Sequence, residues 1–361
     1  MINATLDLIE FLRSTFPLLF SLGLYLMLAI LLSKSIKQHA KVYYWLFGVL
    51  CAGFVIPTIF RLCGATMPFN LGKIPFFGLC FSELSSAANF VHPVLIIIMY
   101  MGAFSPKVWY VGRLMSIRKE LSIIVGFPVI AHAMKRLFGS FVGGWEYFFD
   151  HETYIQSPRV TSVLGSGISS FVYVLGLVMF VLFLVLWITS FDSVHHKLGT
   201  KRWKSVQKWS YGLYAMLFIH AIGLNLGGYI SDKAREEQQA QKARTEVVEN
   251  RGREAQQGQR PQREQQAQQG HGQQQAQQGQ RPQREQQAQQ GGHSHGQQQQ
   301  PQAQQGGHSH GHGRPQPFKF SEIEVSRTDK RLINMVILVL IYGSYLYFRI
   351  RKAKSSPKRA N

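Results

Sequence analysis

The sequence predicts an all-α integral membrane protein, a helical bundle of about seven transmembrane helices with a disordered, Gln- and His-rich insert. Of its 361 residues 46% are hydrophobic, yet the mean hydropathy is only -0.04, so two very different kinds of sequence are averaged. Apolar stretches fill the chain up to about residue 231 and again over about residues 331–350. The sequence between them is almost entirely Gln, Gly, Arg, Glu and His. Runs of about 20 apolar residues can cross a hydrocarbon layer of roughly 30 Å.

The predicted spans follow the apolar runs in chain order. They are residues 18–32, 44–60, 87–104, 121–138, 163–188, 209–230 and 332–348. We expect the first span to be retained, because Asp7 and Glu10 stand where a cleaved signal peptide would be basic. The second span is expected to end at Pro57 and Arg61.

Basic residues predict how these spans are oriented. Lys and Arg are concentrated after the first, third and fifth spans and at the C-terminus. Loops rich in Lys and Arg stay in the cytoplasm, so the N-terminus and the polar insert are predicted outside and the C-terminus inside. The formal charge of +20 is accounted for by these loops, and we therefore expect no nucleic-acid partner.

Three cysteines are placed by this topology. Cys63 and Cys80 share the outer loop between the second and third spans, and Cys51 lies within the second span. An outer compartment permits a disulfide between Cys63 and Cys80, which would contribute about 3 kcal/mol in the chain-entropy model. The alternative is two unpaired thiols near the interface.

Two histidines are predicted at one depth in the membrane. His132 follows Lys119 by 13 residues and His220 follows Lys208 by 12, on spans that run parallel. Each therefore lies about 18 to 20 Å from the inner surface. Paired imidazoles on parallel helices are what a bis-histidine b-type haem requires, so haem iron bound by His132 and His220 is predicted.

Neighbouring residues admit more than one interpretation. His92 lies at a similar depth and is an alternative haem ligand, or else an interfacial histidine before Pro93 at a helix start. Lys135 and Arg136 follow His132 by one turn, and they either extend to the outer interface or face the haem propionates.

Both histidine helices carry a resemblance to a known family. The segments KRWKSVQKWSYGLYAMLFIHAIG and KELSIIVGFPVIAHAMKRLF resemble the haem-binding helices of the ferric-reductase-like transmembrane family, particularly the MsrQ membrane subunits of periplasmic methionine sulfoxide reductase systems. The resemblance implies an electron-transfer oxidoreductase subunit in a bacterial inner membrane. It also implies delivery of electrons to an acceptor protein or metal ion outside the cytoplasm.

Two departures from the family change the expected mechanism. The inner histidine of the family's last haem helix falls on Gln207, so one haem is expected rather than two. We also expect no cytoplasmic flavin and nicotinamide domain of the kind that full-length ferric reductases have, and a role for FMN stays open. The quinone pool is the expected donor, with Gln207, Trp209 and Tyr211 at the inner mouth as a quinone site, or otherwise as an interfacial belt.

The polar insert repeats its own sequence, with RPQREQQAQQG at residues 260–270 and 281–291. Its low apolar content predicts disorder. Histidines at alternate positions in it would chelate metal ions loosely, or result from repeat expansion without function. These are His271, His293, His295, His308, His310 and His312. An alternative function is accordingly a metal-ion transporter or metal-handling membrane protein that gathers its ion on this loop, although the spans hold few acidic residues to strip an ion of water.

Four parts of the chain follow from these observations. Residues 1–43 are an additional N-terminal transmembrane helix, and residues 44–231 are the haem-binding, ferric-reductase-like core. Residues 232–320 are the low-complexity extracytoplasmic loop, and residues 321–361 are the last transmembrane helix with a basic cytoplasmic tail.

Overall fold

A computed structural model describes residues 2–65, 73–75, 78, 80, 84, 87–139, 146–157, 160–275 and 323–355. Every regular element in these residues is a helix, which confirms the all-α class. The chain forms two compact units, one comprising Met1–Glu237 with Lys319–Asn361 and the other Gln238–Phe318. The predicted N-terminal addition, residues 1–43, thus belongs to the same unit as the other apolar helices.

Twelve α-helices and one π-helical turn are delimited among the described residues, and we number the α-helices in chain order. They are α1 Ile2–Thr15, α2 Pro17–Leu31, α3 Ser33–Gln38, α4 Ala40–Leu62, the π-helical turn Ala87–Val91, α5 His92–Met101, α6 Trp109–Ser116, α7 Arg118–Gly139, α8 His151–Gln156, α9 Val163–Ile188, α10 Asp192–Gln207, α11 Ser210–Gln275 and α12 Arg327–Ser355.

Four of these helices are long and apolar enough to cross a membrane. They are α4, α9, the Ser210–Arg253 part of α11, and α12, and a fifth span results if α1 and α2, bent by 114° at their junction, are counted together. The chain therefore has the helices of a multi-pass membrane protein. The count over the described residues is four to five, fewer than the seven predicted.

The third and fourth predicted spans account for most of the difference. Residues 87–104 form the π-helical turn and the ten-residue α5, which rises only about 15 Å. Nine of the ten residues of α5 are buried, so its apolar side chains pack against other helices. The fourth predicted span corresponds to α7, whose 22 residues suffice in length, and charged residues occupy both of its ends.

Two helices continue beyond the positions where the sequence predicted an end. Pro57 lies inside α4, which ends only at Leu62. Proline is tolerated in apolar helices where nearby hydroxyls satisfy backbone groups, and here the Thr58 hydroxyl donates to the Phe54 carbonyl at 2.9 Å.

The second continuation corrects the prediction of disorder for the start of the insert. Helix α11 extends to Gln275, 45 residues beyond the predicted end of the sixth span. Low apolar content excludes a packed core but not a helix, because Ala, Gln, Glu and Arg all have high helix propensity. Arg253 and Glu249 also form an (i, i+4) ion pair. Residues 276–320 of the insert lie outside the described residues.

Helix α9 packs against both histidine-bearing helices. Near one end of α9, the Trp187 indole donates to the Ile123 carbonyl of α7 at 3.0 Å. Near the other end, α9 crosses α11 at Gly165 and Gly227, where a Cβ on Gly227 would lie 2.7 Å from the Gly165 carbonyl oxygen. Such close backbone approach is typical of small residues in membrane helices.

One end of the bundle is rich in lysine and arginine, and we call it the basic end. There α7 begins and α9 leads into α10, and Lys119 donates to Asp192 at 2.9 Å. The Lys119 ammonium holds the pKa of the Asp192 carboxyl below its usual value. We call the opposite end, where α9 begins at Val163, the far end.

The cysteines are all free thiols. Cys63 is exposed, Cys80 is half-buried and packs against the core, and Cys51 is buried in α4. The sequence left open a disulfide between Cys63 and Cys80 or two unpaired thiols, and in the structure both thiols are unpaired.

Candidate functional site

His220 lies in the apolar part of α11 and faces α9. Its Nδ1 atom is 3.0 Å from the carbonyl oxygen of Val172. The ring also lies over Gly176, where a Cβ atom would be only 2.8 Å from Cε1. The imidazole is half-buried. Its Nδ1 edge is held against α9 by the hydrogen bond to Val172.

The other ring nitrogen of His220 is the free one. Among the described residues Nε2 has no hydrogen-bond partner, since the ring's only hydrogen bond is the one to Val172. A backbone carbonyl can only accept, so Nδ1 carries the proton and Nε2 carries the lone pair. This is the tautomer in which a histidine binds metal through Nε2.

His132 lies on α7, on another side of α9. Helices α7 and α9 run antiparallel, because Trp187 reaches Ile123 at 3.0 Å and the Tyr173 hydroxyl donates to the Arg136 carbonyl at 2.9 Å. His132 precedes Arg136 by four residues. It therefore lies about one helical turn from the level of Tyr173, toward the basic end.

His220 occupies nearly the same level. It contacts Gly176, which lies three residues from Tyr173 in the same direction. Measured along α9, His132 and His220 thus lie within about one turn of each other. Both helices run from the basic end, as the sequence predicted from the distances to Lys119 and Lys208.

Positive charge lies at the far end of this pair. Lys135 and Arg136 are exposed, one turn beyond the half-buried His132. Cationic side chains are thus present one helical turn from His132, on the side of the far end.

The alternative ligand, His92, is positioned differently. It is the first residue of α5, directly after the π-helical turn, and only 8% of it is exposed. Its Nε2 atom is 3.0 Å from the Tyr342 hydroxyl of α12, and the Tyr342 ring packs against Phe218 of α11. Nε2 of His92 is therefore already in a hydrogen bond between two helices.

The three predicted quinone-site residues lie at the basic end but differ in their contacts. The Gln207 amide donates to the Thr189 hydroxyl at 2.9 Å and to the Leu186 carbonyl at 3.3 Å. Trp209 is 65% exposed and Tyr211 is 51% exposed. The Tyr211 hydroxyl accepts from the Arg349 guanidinium at 2.5 Å, and its ring lies beneath the same cation. Gln207 thus has a structural contact that the sequence did not indicate.

The predicted chelating residues of the insert lie outside the part that the structure describes in side-chain detail. They are His271, His293, His295, His308, His310 and His312. In the part of the chain that the structure describes, no group of three or more His, Cys, Asp or Glu side chains is arranged to hold a metal ion.

Three residues at these histidines were not identified from the sequence. Val172 and Gly176 contact His220, and Tyr342 contacts His92. A glycine within an apolar membrane helix often indicates that another helix packs closely there, so the sequence could have pointed to Gly176 as a contact position. Tyr342 is 250 residues from His92, and no local pattern connects them.

Comparison of the chain with family models, curated proteins and solved structures finds no match. The interpretation of the site consequently rests on the geometry of these residues and on the resemblance of the two histidine helices described above.

Proposed function

We propose that the protein is a membrane electron-transfer subunit with one b-type haem between α7 and α11, bound by His132 and His220. The observation that carries the proposal is the state of His220, whose Nδ1 is bonded to the Val172 carbonyl while Nε2 has no partner among the described residues. The haem would supply reversible one-electron transfer through its iron. Electrons pass from quinol or a partner protein to an acceptor protein or metal ion outside the cytoplasm.

The residues present fit this cofactor. An axial histidine needs a free Nε2 and an anchored Nδ1, and His220 has both. The second ligand must approach from a neighbouring helix at the same level, and His132 lies within about one turn of it. His92 fits less well, because ligation through its Nε2 requires breaking the bond to Tyr342.

Lys135 and Arg136 serve the carboxylates of the cofactor in this proposal. Propionates are anionic and are stabilised by nearby cations at an apolar boundary. Both side chains are exposed at the far end, one helical turn from His132. They would neutralise the propionates and orient them toward the far end.

The proposed membrane topology follows the charge distribution. The basic end lies in the cytoplasm, the N-terminus outside and the C-terminus inside, in a bacterial inner membrane. Helices α7, α9 and α11 run in alternating directions, as consecutive spans must. An odd number of crossings, such as the five obtained when α1 and α2 form one span, is consistent with this placement of the two termini.

Quinol is the proposed electron donor, and Trp209 and Tyr211 are the residues proposed to receive it. Their rings are exposed at the basic end, where a headgroup dissolved in the bilayer can approach. The Gln207 amide is already bonded to α9, so it contributes less than predicted. Oxidised, haem-loaded protein in lipid is mixed with a quinol, or with NADH alone, while the haem band is followed. We expect reduction by quinol only, and reduction by NADH alone would refute the quinol assignment.

The ligands are tested by substituting one histidine at a time. His132→Ala and His220→Ala should each abolish the low-spin haem spectrum of the purified protein, because either change removes an axial ligand. His39→Ala, at an exposed position outside the apolar helices, is the matched control and should leave the spectrum unchanged. Full haem in His132→Ala together with loss in His92→Ala would instead assign His92 as the ligand.

A further inference from the structure

We infer that Val172 and Gly176 form a notch on α9 that holds His220 in a single tautomer, with the proton on Nδ1 and the Nε2 lone pair free. Within the proposed function they are positioning residues, because they touch the ligand and not the iron. The consequence for haem rests on that function. The tautomer itself is a property of the polypeptide and exists without any cofactor.

The notch depends on the absence of a side chain at position 176. A Cβ atom there would lie 2.8 Å from Cε1 and 3.3 Å from Nδ1 of His220. Carbon atoms do not approach this closely without displacement, so any residue larger than glycine must push the imidazole away. Gly176 thus determines how near the ring comes to α9.

The Val172 carbonyl supplies the hydrogen-bond acceptor. It lies one turn before Gly176 on the same face of α9, so the ring that covers Gly176 meets this oxygen. A carbonyl oxygen has two lone pairs, and the helix uses one for its own bond to the amide of residue 176. The second lone pair remains for the imidazole, and the spacing of Val172 and Gly176 makes both contacts possible together.

A fixed Nδ1–H tautomer changes what Nε2 can do. A bond from Nδ1–H to a carbonyl makes the opposite nitrogen a stronger electron donor, and loss of such partners typically weakens metal binding about 10- to 100-fold. A stronger donor also favours ferric over ferrous iron. The notch therefore tightens haem binding and lowers the midpoint potential of the haem.

The test compares two glycine-to-alanine changes in one helix. Gly176→Ala displaces the His220 ring. Gly167→Ala, nine residues earlier in α9, creates a similar clash but with the Tyr147 hydroxyl, since its Cβ would lie 2.6 Å from that oxygen. Both variants change helix propensity equally, and only one of them touches the ligand.

The first measurement uses protein without haem. Nitrogen NMR of protein labelled in its histidines, with the His220 signal assigned by its loss in His220→Gln, reports the tautomer. We expect the Nδ1–H form in the wild type and in Gly167→Ala, and a mixture of tautomers in Gly176→Ala. An Nε2–H tautomer in the wild type would overturn the inference, whether or not the protein binds haem.

The second measurement uses protein loaded with haem. Gly176→Ala should bind haem about 10- to 100-fold more weakly and have a higher midpoint potential, whereas Gly167→Ala should match the wild type. Equal shifts in both variants would mean that general packing of α9 is responsible, which contradicts the notch. Absence of haem from the wild type would refute the proposed function alone, because the tautomer measurement decides the notch separately.

Discussion

The hydroxyl of Tyr342 on α12 lies 3.0 Å from Nε2 of His92 on α5 and links helices that are 250 residues apart in the sequence. His92 is buried, so this bond satisfies a ring nitrogen that water cannot reach. The contrast with His220, whose Nε2 has no partner among the described residues, separates two histidines that look alike in the sequence. His92 thus joins α5 to α12 by a hydrogen bond, whereas His220 is the histidine proposed as a haem ligand.

Tyr342→Phe should destabilise the protein without loss of haem. Removal of the hydroxyl leaves Nε2 of His92 buried and unpaired, which costs about 1 kcal/mol by comparison with hydrogen bonds in other membrane bundles. Thermal unfolding in detergent measures the effect, and the visible spectrum reports the haem. A loss of haem with unchanged stability would show that Tyr342 supports a ligand at His92.

Gly227→Ala should separate α9 from α11. Its Cβ would lie 2.5 Å from the Ser169 hydroxyl oxygen and 2.7 Å from the Gly165 carbonyl oxygen, and the carbonyl cannot rotate away. Overpacking of this kind costs about 1–3 kcal/mol. The control is Gly343→Ala on α12, where no atom lies within 4 Å of the added Cβ. Gly227→Ala should lower the unfolding temperature in detergent, and Gly343→Ala should leave it nearly unchanged. Equal effects of the two substitutions would contradict the close crossing of α9 and α11.

Lys352→Ala should weaken the attachment of α12 to α5. The Lys352 ammonium donates to the carbonyls of Gly102 at 3.0 Å and Phe104 at 2.8 Å, where α5 has just ended. The Gly102 carbonyl also accepts from Arg349 at 2.8 Å, so part of the attachment remains in the variant. A cation hydrogen-bonded to carbonyls just beyond the C-terminal end of a helix contributes about 1–2 kcal/mol. Lys354→Ala removes an exposed lysine of the same helix and should change the unfolding temperature little. Unfolding curves that do not distinguish the two variants would argue against this contact.

The contribution of the ion pair between Lys119 and Asp192 to the free energy of unfolding should depend weakly on pH. The lowered pKa of Asp192 means that its stabilisation is fully present above the pKa of the unfolded chain and is lost as pH falls through the folded pKa. The two side chains are 43% and 66% exposed, so solvent limits their coupling to less than about 1 kcal/mol. A double-mutant cycle of Lys119→Ala and Asp192→Asn, at neutral and at acid pH, measures it. A coupling energy that grows toward acid pH would contradict the expected loss of stabilisation as the pH falls.

Features that depend on local sequence were predicted well. The bounds of α9, Val163–Ile188, are those of the fifth predicted span, because an apolar run between polar loops has few alternatives. The similar levels of His132 and His220 were also predictable, since they require only the rise per residue and the positions of Lys119 and Lys208. Helical geometry and charge placement are both local properties of the chain.

Features that depend on the surroundings of a segment were not predictable. The apolar residues of α5 look like those of a span, but they are buried by neighbouring helices, and hydropathy does not distinguish the two environments. The sequence does not show what Gln207 contacts, and in the structure its amide donates to the Thr189 hydroxyl. The length of α11 does not follow from apolar content alone, because a polar segment with high helix propensity continues the helix.

The absorption spectrum of the purified wild-type protein from haem-replete cells, recorded oxidised and then reduced, decides whether the proposed haem is present. We expect one haem per chain, with the sharp reduced bands of a six-coordinate, low-spin b-type haem, since His132 and His220 would supply both axial ligands. Stoichiometry is fixed by extracting the haem and comparing it with protein concentration. A folded, monodisperse protein without a haem band, or with a high-spin spectrum that has one open axial position, would contradict the bis-histidine site between α7 and α11.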